Sequence, residues 1–325
     1  MSSLDRQTYK IFKEIKENGY DQPIERVYAK YEDTGLPAPT RFGNPTTMVF
    51  KPGEVPFLES KKAAKKDPFQ ELSWIYQHKS NDVVFLREEL GCNVWNQWEE
   101  KENKRWLGTI GPAYGFVVGL RERKYRKDKI HFDKLKPEMM YETFIEDGIE
   151  YVYLDQLDYL IQEVINNPYS RYHIISLWIP KLLDEMKLKP CVWTINVKIL
   201  PNGYMNLIIK IRSNDMALGN PYNMIQYFYF LQMLAQSTGY KPGTMFVNID
   251  DPHYYDRHIE LTEKQFEDYD IENEYQSLDP TFWINPEITN FYEFKHTDLV
   301  VTTNERIVKG EVWKAPKIKF PLSIS

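Results

Sequence analysis

Cys191 is the residue of this chain whose type and setting most directly offer chemistry. It stands at the head of one predicted strand, and Arg212 stands at the end of a second strand predicted to pair with it. A cysteine attacks as its thiolate, and a free thiol with a pKa of about 8.5 forms that anion more readily beside positive charge. Nucleophilic catalysis is therefore one interpretation. The alternative is an inert core cysteine, which the composition alone favours, because a lone cysteine among aromatic and β-branched neighbours is usually buried.

The two strands that would position these residues form the clearest local pattern in the sequence. Residues 191 to 199 and 205 to 212 are rich in Val, Ile and Leu, and apolar residues alternate along the second stretch. The Pro-Asn-Gly segment at 201 to 203 favours a turn between them. We therefore expect an antiparallel pair that brings Arg212 towards Cys191.

Helical spacing of apolar residues marks four further segments. The helices are predicted over residues 4 to 19 on the surface, from Pro68 through Leu90, from Leu154 to Asn166, and from Met224 to Ser237 as a largely buried helix. Five prolines between residues 35 and 56 predict loop and short strand there, and the aromatic and charged mixture of 124 to 150 predicts surface structure. Strands and helices without regular βα alternation indicate one α+β domain.

The composition excludes several classes of protein. The 325 residues carry 41 basic and 47 acidic side chains, a formal charge of −6, so no stable nucleic-acid complex is expected. Two cysteines are too few for a disulfide framework, and no Cys and His cluster has zinc spacing, so no metal is expected. No stretch approaches the roughly 18 apolar residues that span a bilayer, and the N-terminus lacks an apolar targeting core. A cytoplasmic protein without membrane association is therefore expected.

Nine short motifs occur in a fixed order from about Arg41 to the C-terminus. They are Glu71-Leu-Ser-Trp, Val94-Trp-Asn-Gln-Trp, Gly111-Pro-Ala-Tyr-Gly, Asp155-Gln-Leu, Asn167-Pro-Tyr-Ser-Arg, Pro190-Cys, Arg212-Ser-Asn-Asp, Leu218-Gly-Asn-Pro-Tyr-Asn and Asp251-Pro-His-Tyr-Tyr. In this combination the chain resembles the thymidylate synthase family, which includes the phage deoxypyrimidylate hydroxymethylases. The resemblance implies an α+β fold, with helices packed on a mixed sheet and one sheet face used for dimerisation. It divides the chain into an N-terminal extension at 1–40, with an amphipathic helix, and a catalytic domain at 41–325.

The resemblance also implies a reaction. The chain would bind deoxyuridylate (dUMP) and 5,10-methylenetetrahydrofolate, a reduced folate that serves as cosubstrate. The thiolate of Cys191 would add to C6 of the pyrimidine, and C5 would then attack the one-carbon unit of the folate. A carboxylate at Glu71 would manage protons through ordered water, and Tyr114 would assist loss of the C5 proton.

Further positions match residues with which the family holds its ligands. The matching positions are Arg41, Arg212 and Ser213 for phosphate, Arg171 for the phosphate of the partner subunit in a homodimer, His253 and Tyr255 for the sugar 3′-hydroxyl, and Trp95, Trp98, Asp215 and Gly219 for the folate. Asn223 would read the base, because a carboxamide answers both the N3–H donor and the O4 acceptor of uracil, whereas cytosine reverses that pattern. By residue type alone, the tryptophans would more often be core residues and each arginine a surface ion pair.

Four departures from the usual thymidylate synthase pattern bear on the product. Val192, Ile211, Tyr172 and Asn196 replace the usual His, Gln, second phosphate-binding Arg and Gln, respectively. The residues at 192 and 211 are reminiscent of the phage hydroxymethylases, and the tail at 318–325 is longer by one residue and more polar than the family's closing C-terminus. A reshaped closure would admit a water molecule to the one-carbon unit.

We therefore expect hydroxymethylation of dUMP, with release of tetrahydrofolate, slightly ahead of reductive methylation to dTMP with release of dihydrofolate. A third alternative is a catalytically inactive homologue that binds nucleotide or RNA. Retention of Cys191, Glu71, Tyr114 and Asn223 together argues against that alternative.

Overall fold

The computed structural model describes residues 2–137, 139–267, 280–303, 307–308, 311–312 and 314–324. The helices are α1 (Ser3–Asn18), α2 (Lys66–Leu72), α3 (Val83–Glu88), α4 (Gly115–Val118), α5 (Gln156–Asn166), α6 (Gly219–Thr238) and α7 (Asp256–Glu267). The strands are β1 (Tyr20–Asp21), β2 (Lys30–Tyr31), β3 (Thr40–Phe42), β4 (Thr46–Phe50), β5 (Arg123–Arg126), β6 (Thr143–Glu146), β7 (Ile149–Leu154), β8 (Ile174–Ser176), β9 (Val192–Ile199), β10 (Tyr204–Ile211), β11 (Asn214–Asp215), β12 (Lys241–Ile249), β13 (Pro252–Tyr255), β14 (Thr281–Ile284), β15 (Leu299–Thr302), β16 (Ile307–Val308), β17 (Glu311–Val312) and β18 (Ser323–Ile324).

A five-stranded mixed sheet with the order β4-β12-β10-β9-β8 forms the centre of the fold. The predicted pair, β9 and β10, is antiparallel, and β12 joins the other side of β10 in parallel. Residues along β10 alternate between buried and half-buried positions, as the alternating apolar pattern predicts. One face of the sheet therefore belongs to the core, and the other remains accessible in the single chain.

Helix α6 packs against this sheet and is buried on most of its sides, in agreement with the prediction of a strongly apolar helix. It begins at Gly219, however, and not at Met224. The Asn220-Pro221 dipeptide favours a loop in the sequence, but proline is tolerated in the first turn of a helix, where its missing N–H has no intrahelical partner. The segment predicted to be helical from Pro68 through Leu90 is likewise divided, into α2, a turn of π-helix at Ser73–Gln77, and α3.

A second sheet, β1-β3-β13-β11, lies beside the central one and positions the residues that follow β10. Helix α1 confirms the helix predicted for residues 4 to 19, and its apolar side chains Leu4, Phe12 and Ile15 belong to the main core. The division of the chain at residue 41 stays a prediction.

Residues 123–154 form a small three-stranded sheet, β5-β7-β6, with its own cluster of buried side chains. Directly after β7, Asp155 and then Asp158 form a buried ion cluster with Lys79, which contacts both carboxylates. Asp155 also accepts hydrogen bonds from the first backbone N–H groups of α5, at 3.1 and 3.0 Å, and so begins that helix. Among the described residues, no helix has the length and apolar character needed to cross a bilayer.

Candidate active site

A cleft of about 670 Å³ opens where β9 begins and β10 ends. Its lining includes twelve of the fourteen residues predicted from the sequence to take part in catalysis or binding. These are Glu71, Trp95, Trp98, Tyr114, Cys191, Arg212, Ser213, Asp215, Gly219, Asn223, His253 and Tyr255. Residues that are far apart in the chain therefore meet in one cavity.

The sheet pairing sets the surroundings of Cys191, which lies directly before β9. The backbone N–H of Arg212 donates to the carbonyl oxygen of Cys191 at 2.9 Å, and the backbone N–H of Cys191 donates to the Tyr114 hydroxyl at 3.1 Å. The guanidinium of Arg212 donates in turn to the carbonyl oxygens of Pro190, at 3.0 Å, and Lys189, at 2.8 Å. Cys191, Arg212 and Tyr114 thus share one hydrogen-bonded frame.

The electrostatic surroundings of the Cys191 thiol agree only in part with the expectation of an activated thiolate. Burial raises the pKa of the Cys191 thiol, the Arg212 guanidinium lowers it, and the carboxyl groups of Glu71 and Asp215 raise it further. The arginine acts in the predicted direction, but burial outweighs it. Burial has the largest effect because removing a thiolate from water is costly by itself.

Tyr114 is held by an unusual backbone conformation at the beginning of α4. Its φ is +44°, a left-handed value that is rare for a residue with a side chain. Gly115 follows because a Cβ at that position would lie 2.0 Å from the carbonyl oxygen of Ser80. Such strain persists where the surrounding structure fixes it, and it is common at functional sites.

Glu71, in α2, is a buried carboxyl group in the cleft wall. Its Oε1 accepts a hydrogen bond from the indole N–H of Trp95 at 3.0 Å. Burial raises the pKa of Glu71 to about 7, against the lowering effect of side-chain contacts with Trp95, Tyr222 and Gln226. A carboxyl group that titrates near neutral pH is suited to both accept and donate a proton.

The tryptophans predicted for the folate pocket form an aromatic wall beside Glu71. The ring of Trp95 lies 5.2 Å from that of Tyr114 and 5.5 Å from that of Trp98, both edge to face. The buried indole N–H of Trp98 has no hydrogen-bond partner among the residues that the structure describes. A planar ligand with an acceptor atom would satisfy it.

The pairing of β11 with β13 brings Asp215 and His253 side by side. Burial alone would raise the pKa of Asp215, but the contacts with His258, with His253 and with the backbone N–H of Leu218 lower it. Asp215 therefore stays ionised. His258 is fully buried behind it, with Nδ1 3.7 Å from the Asp215 carboxylate.

The first turns of α6 supply the opposite wall. Gly219 and Asn223 line the cleft, as predicted, and Tyr222, Gln226 and Tyr227 join them. The last three residues were not predicted from the sequence. Their spacing places them on the same helical face as Gly219 and Asn223, and extending the helix back to Gly219 would have found them.

The remaining two predicted residues, Arg41 and Arg171, do not line the cleft. In the β1–β3 pair Arg41 is opposite Asp21, and its guanidinium donates to that carboxylate at 2.7 Å and to the carbonyl oxygen of Ile15 at 2.9 Å. In the single chain the Arg41 guanidinium is engaged with these two groups, and its predicted contact with phosphate stays a prediction. Arg171 lies on the exposed segment after α5, and its predicted role in a partner's site stays a prediction.

The departures from the expected motif lie at distinct places. Val192 lines the cleft next to Cys191, and Ile211 is fully buried beneath it. Tyr172 is 76% exposed and is not among the described residues that line this cleft. The tail reaches the cleft as well, with Leu322 and Ser323 in its lining. In the described part of the chain, no group of three or more His, Cys, Asp or Glu side chains could hold a metal ion.

Comparisons with known proteins agree with this geometry. The family model described as thymidylate synthase matches residues 6–311. Thymidylate synthase 1 of Bacillus spizizenii is 39% identical over 298 residues, which cover 92% of this chain and 94% of that protein, and the thymidylate synthase of Bacillus phage phi3T has the same identity and coverage. The solved structure of thermostable thymidylate synthase A from Bacillus subtilis superposes with a TM-score of 0.79 at 37% identity, covering 99% of both chains.

Proposed function

Because the chain belongs to the thymidylate synthase family, we propose that it is a thymidylate synthase, which converts dUMP to dTMP by reductive methylation. The predicted family and the α+β fold are confirmed. The chain is a one-carbon transferase with 5,10-methylenetetrahydrofolate as cosubstrate, as the resemblance implied. In reductive methylation the folate supplies a methylene group and a hydride, C5 of dUMP gives up its proton, and dihydrofolate leaves.

The cleft contains a residue for each protein-dependent step of this reaction. The Cys191 thiolate forms the bond to C6 of the pyrimidine and breaks it again when the product leaves. Glu71, with a pKa of about 7, exchanges protons at the base, and the Tyr114 hydroxyl faces the same space. Asn223 reads the uracil edge, and Arg212 with Ser213 binds the phosphate, since a guanidinium pairs with phosphate oxygens bidentately.

The folate fits the other side of the cleft. Trp95 and Trp98 offer aromatic faces for a planar ring system, and the ionised Asp215 accepts hydrogen bonds from the ring's N–H groups. Gly219, at the first position of α6, lets a ligand approach the backbone closely because it has no side chain.

The position of the tail is the observation that favours methylation over hydroxymethylation. Leu322 and Ser323 line the same cleft as Cys191, and Ser323–Ile324 is paired as a strand. A closed tail excludes the water molecule that hydroxymethylation requires. The relatives named above are thymidylate synthases, so the leading expectation from the sequence receives no support from them, and the alternative is the better one.

A homodimer accounts for features that the single chain leaves open. A row of side chains crosses the accessible face of the central sheet, none of them fully buried: Ile174, Asn196, Ile208, Phe246 and Val49. The Oδ1 atom of Asn196 is hidden from solvent and has no hydrogen-bond partner among the described residues. A second copy packed on this face would cover the row and bring Arg171 towards the partner's phosphate site.

One assay separates the two reactions. The purified chain is mixed with dUMP and 5,10-methylenetetrahydrofolate, and dihydrofolate absorbance is followed together with the mass of the nucleotide product. One dihydrofolate per dUMP consumed, with a methylated product, supports the proposal. Tetrahydrofolate release with a hydroxymethylated product would establish the hydroxymethylase, and absence of either product would favour the inactive homologue.

A further inference from the structure

The segment before β3 makes contacts that the reaction described above does not use. Residues 28–38, here termed the latch segment, fold back on themselves: the Tyr31 N–H donates to the Leu36 carbonyl at 2.9 Å, and the Gly35 N–H donates to the Tyr31 carbonyl at 2.8 Å. This tight hairpin leaves the outer edge of β2 free to pair with another strand. Because these hydrogen bonds order the segment, the free edge of β2 is already in place for a strand to pair with it.

The C-terminal tail occupies that edge. Strand β18 pairs antiparallel with β2, so that Ser323 is opposite Tyr31 and Ile324 is opposite Lys30. The Glu32 N–H also donates to the Leu322 carbonyl at 2.9 Å. Because Leu322 and Ser323 line the cleft, the latch segment determines where these two residues lie in the cleft wall.

Tyr31 fixes the latch segment to the body of the protein. The residue is 2% exposed, and its hydroxyl contacts the Asp256 carboxylate and accepts a hydrogen bond from the backbone N–H of Arg257 at 3.1 Å. The guanidinium of Arg257 lies 4.4 Å from the centre of the Tyr31 ring and donates twice to Asp33, at 2.9 Å each. Tyr31 thus ties β2 to the beginning of α7 on one side and carries the tail on the other.

The tail makes two other contacts with the body of the protein, both at residues before Leu322. The Pro321 carbonyl is 2.7 Å from Nε2 of the buried His258, and the ring of Phe320 faces the ammonium group of Lys61 at 4.1 Å. These contacts precede Leu322 in the chain. The strand pairing with β2 is therefore the backbone anchor of the last residues, 322–324, beside the side-chain hydrogen bond between Ser323 and Tyr255.

We propose that Tyr31 is a positioning residue for the one-carbon transfer, acting through the tail: it holds β2 in place, and β2 holds the tail closed while hydride transfer takes place. The inference rests on the proposed function, because the hydride step needs the water exclusion that closure supplies. It deepens that function by assigning a role to the N-terminal segment.

The test compares Tyr31→Ala with Tyr28→Ala, a matched tyrosine in the same latch segment that is 81% exposed. For Tyr31→Ala we expect the KM for 5,10-methylenetetrahydrofolate to rise by about tenfold and the yield of dihydrofolate per dUMP consumed to fall below one. The dissociation constant of dUMP alone should rise by less than the KM for the folate, because Tyr31 does not line the cleft and reaches the nucleotide side only through an edge-on contact with Tyr255, at 6.3 Å between ring centres. Tyr28→Ala should behave as the unsubstituted protein, and Tyr31→Phe, which keeps the ring, should lie between the two.

A second measurement makes the inference independent of turnover. Amide hydrogen exchange of residues 318–324 should quicken in Tyr31→Ala, while exchange in the central sheet stays unchanged. Unchanged hydrogen exchange in residues 318–324 of Tyr31→Ala, or an equal loss of dUMP and folate affinity, would overturn the proposal that Tyr31 positions the tail. If the unsubstituted protein released no dihydrofolate, the proposed function would fail, and the exchange result would still decide whether Tyr31 holds the tail.

Discussion

Replacing Glu71 by Gln should make the protein more stable and less active at once. The carboxyl group is 8% exposed, and burial raises its pKa from an ordinary value of 4.5 to about 7. Below pH 4.5 the Glu71 carboxyl group is neutral in both the folded and unfolded chains, so its burial does not lower the free energy of unfolding. As the pH rises from 4.5 to 7, the Glu71 carboxyl group ionises in the unfolded chain but stays protonated in the folded one. The free energy of unfolding therefore falls by about 3 kcal/mol. Above pH 7 the penalty stays constant.

Glutamine removes this penalty because it does not ionise, and its carbonyl still accepts the indole N–H of Trp95. The difference in unfolding free energy between Glu71→Gln and the unsubstituted protein should therefore be near zero at low pH and reach about 3 kcal/mol above neutral pH. Urea unfolding at a series of pH values, at one protein concentration, measures it. Turnover should fall by about 10²-fold or more, because the proton carrier is lost. An equal stability difference at all pH values would refute the raised pKa.

Three further outcomes are expected. Cys191→Ser should abolish turnover while dUMP still binds, whereas Cys92→Ala, at the other cysteine, should retain turnover, and measurable turnover in Cys191→Ser would remove the nucleophile assignment. Asn223→Asp should raise kcat/KM for the cytosine nucleotide, relative to kcat/KM for dUMP, by about tenfold or more, since the carboxyl group reverses the hydrogen-bond pattern offered to the base. Lys79→Met should lower the unfolding free energy by about 3–5 kcal/mol, because two buried carboxyl groups lose their cation; a loss below about 1 kcal/mol, the scale of an exposed pair, would show that the cluster is solvated.

Local patterns were sufficient to predict the elements that carry the nucleophile. Alternating apolar residues and a Pro-Asn-Gly turn specified the pair β9 and β10, and the structure places Arg212 against Cys191 as that pair requires. Helix α1 followed from its apolar spacing for the same reason. Periodicity works here because each residue's environment repeats with the local geometry of the chain.

The ordered motifs went further and identified the family, and with it twelve residues that the structure brings into one cleft. They did not decide the product. Val192, Ile211 and the polar tail suggested hydroxymethylation, but residue types at two positions and in the tail do not report whether the tail closes. That depends on an edge supplied by Lys30–Tyr31, nearly the whole chain away from Ser323–Ile324.

What the sequence determined by itself is therefore the family, through its ordered motifs, and the strands and helices that carry the candidate side chains, since those elements depend on neighbours within a few positions. Tertiary structure alone decided that Glu71 titrates near pH 7, that Arg41 is engaged with Asp21, and that the N-terminal segment holds the C-terminal tail. Each of these depends on burial or on contacts between distant segments. Such contacts arise only when the whole core is assembled, and no local pattern encodes them.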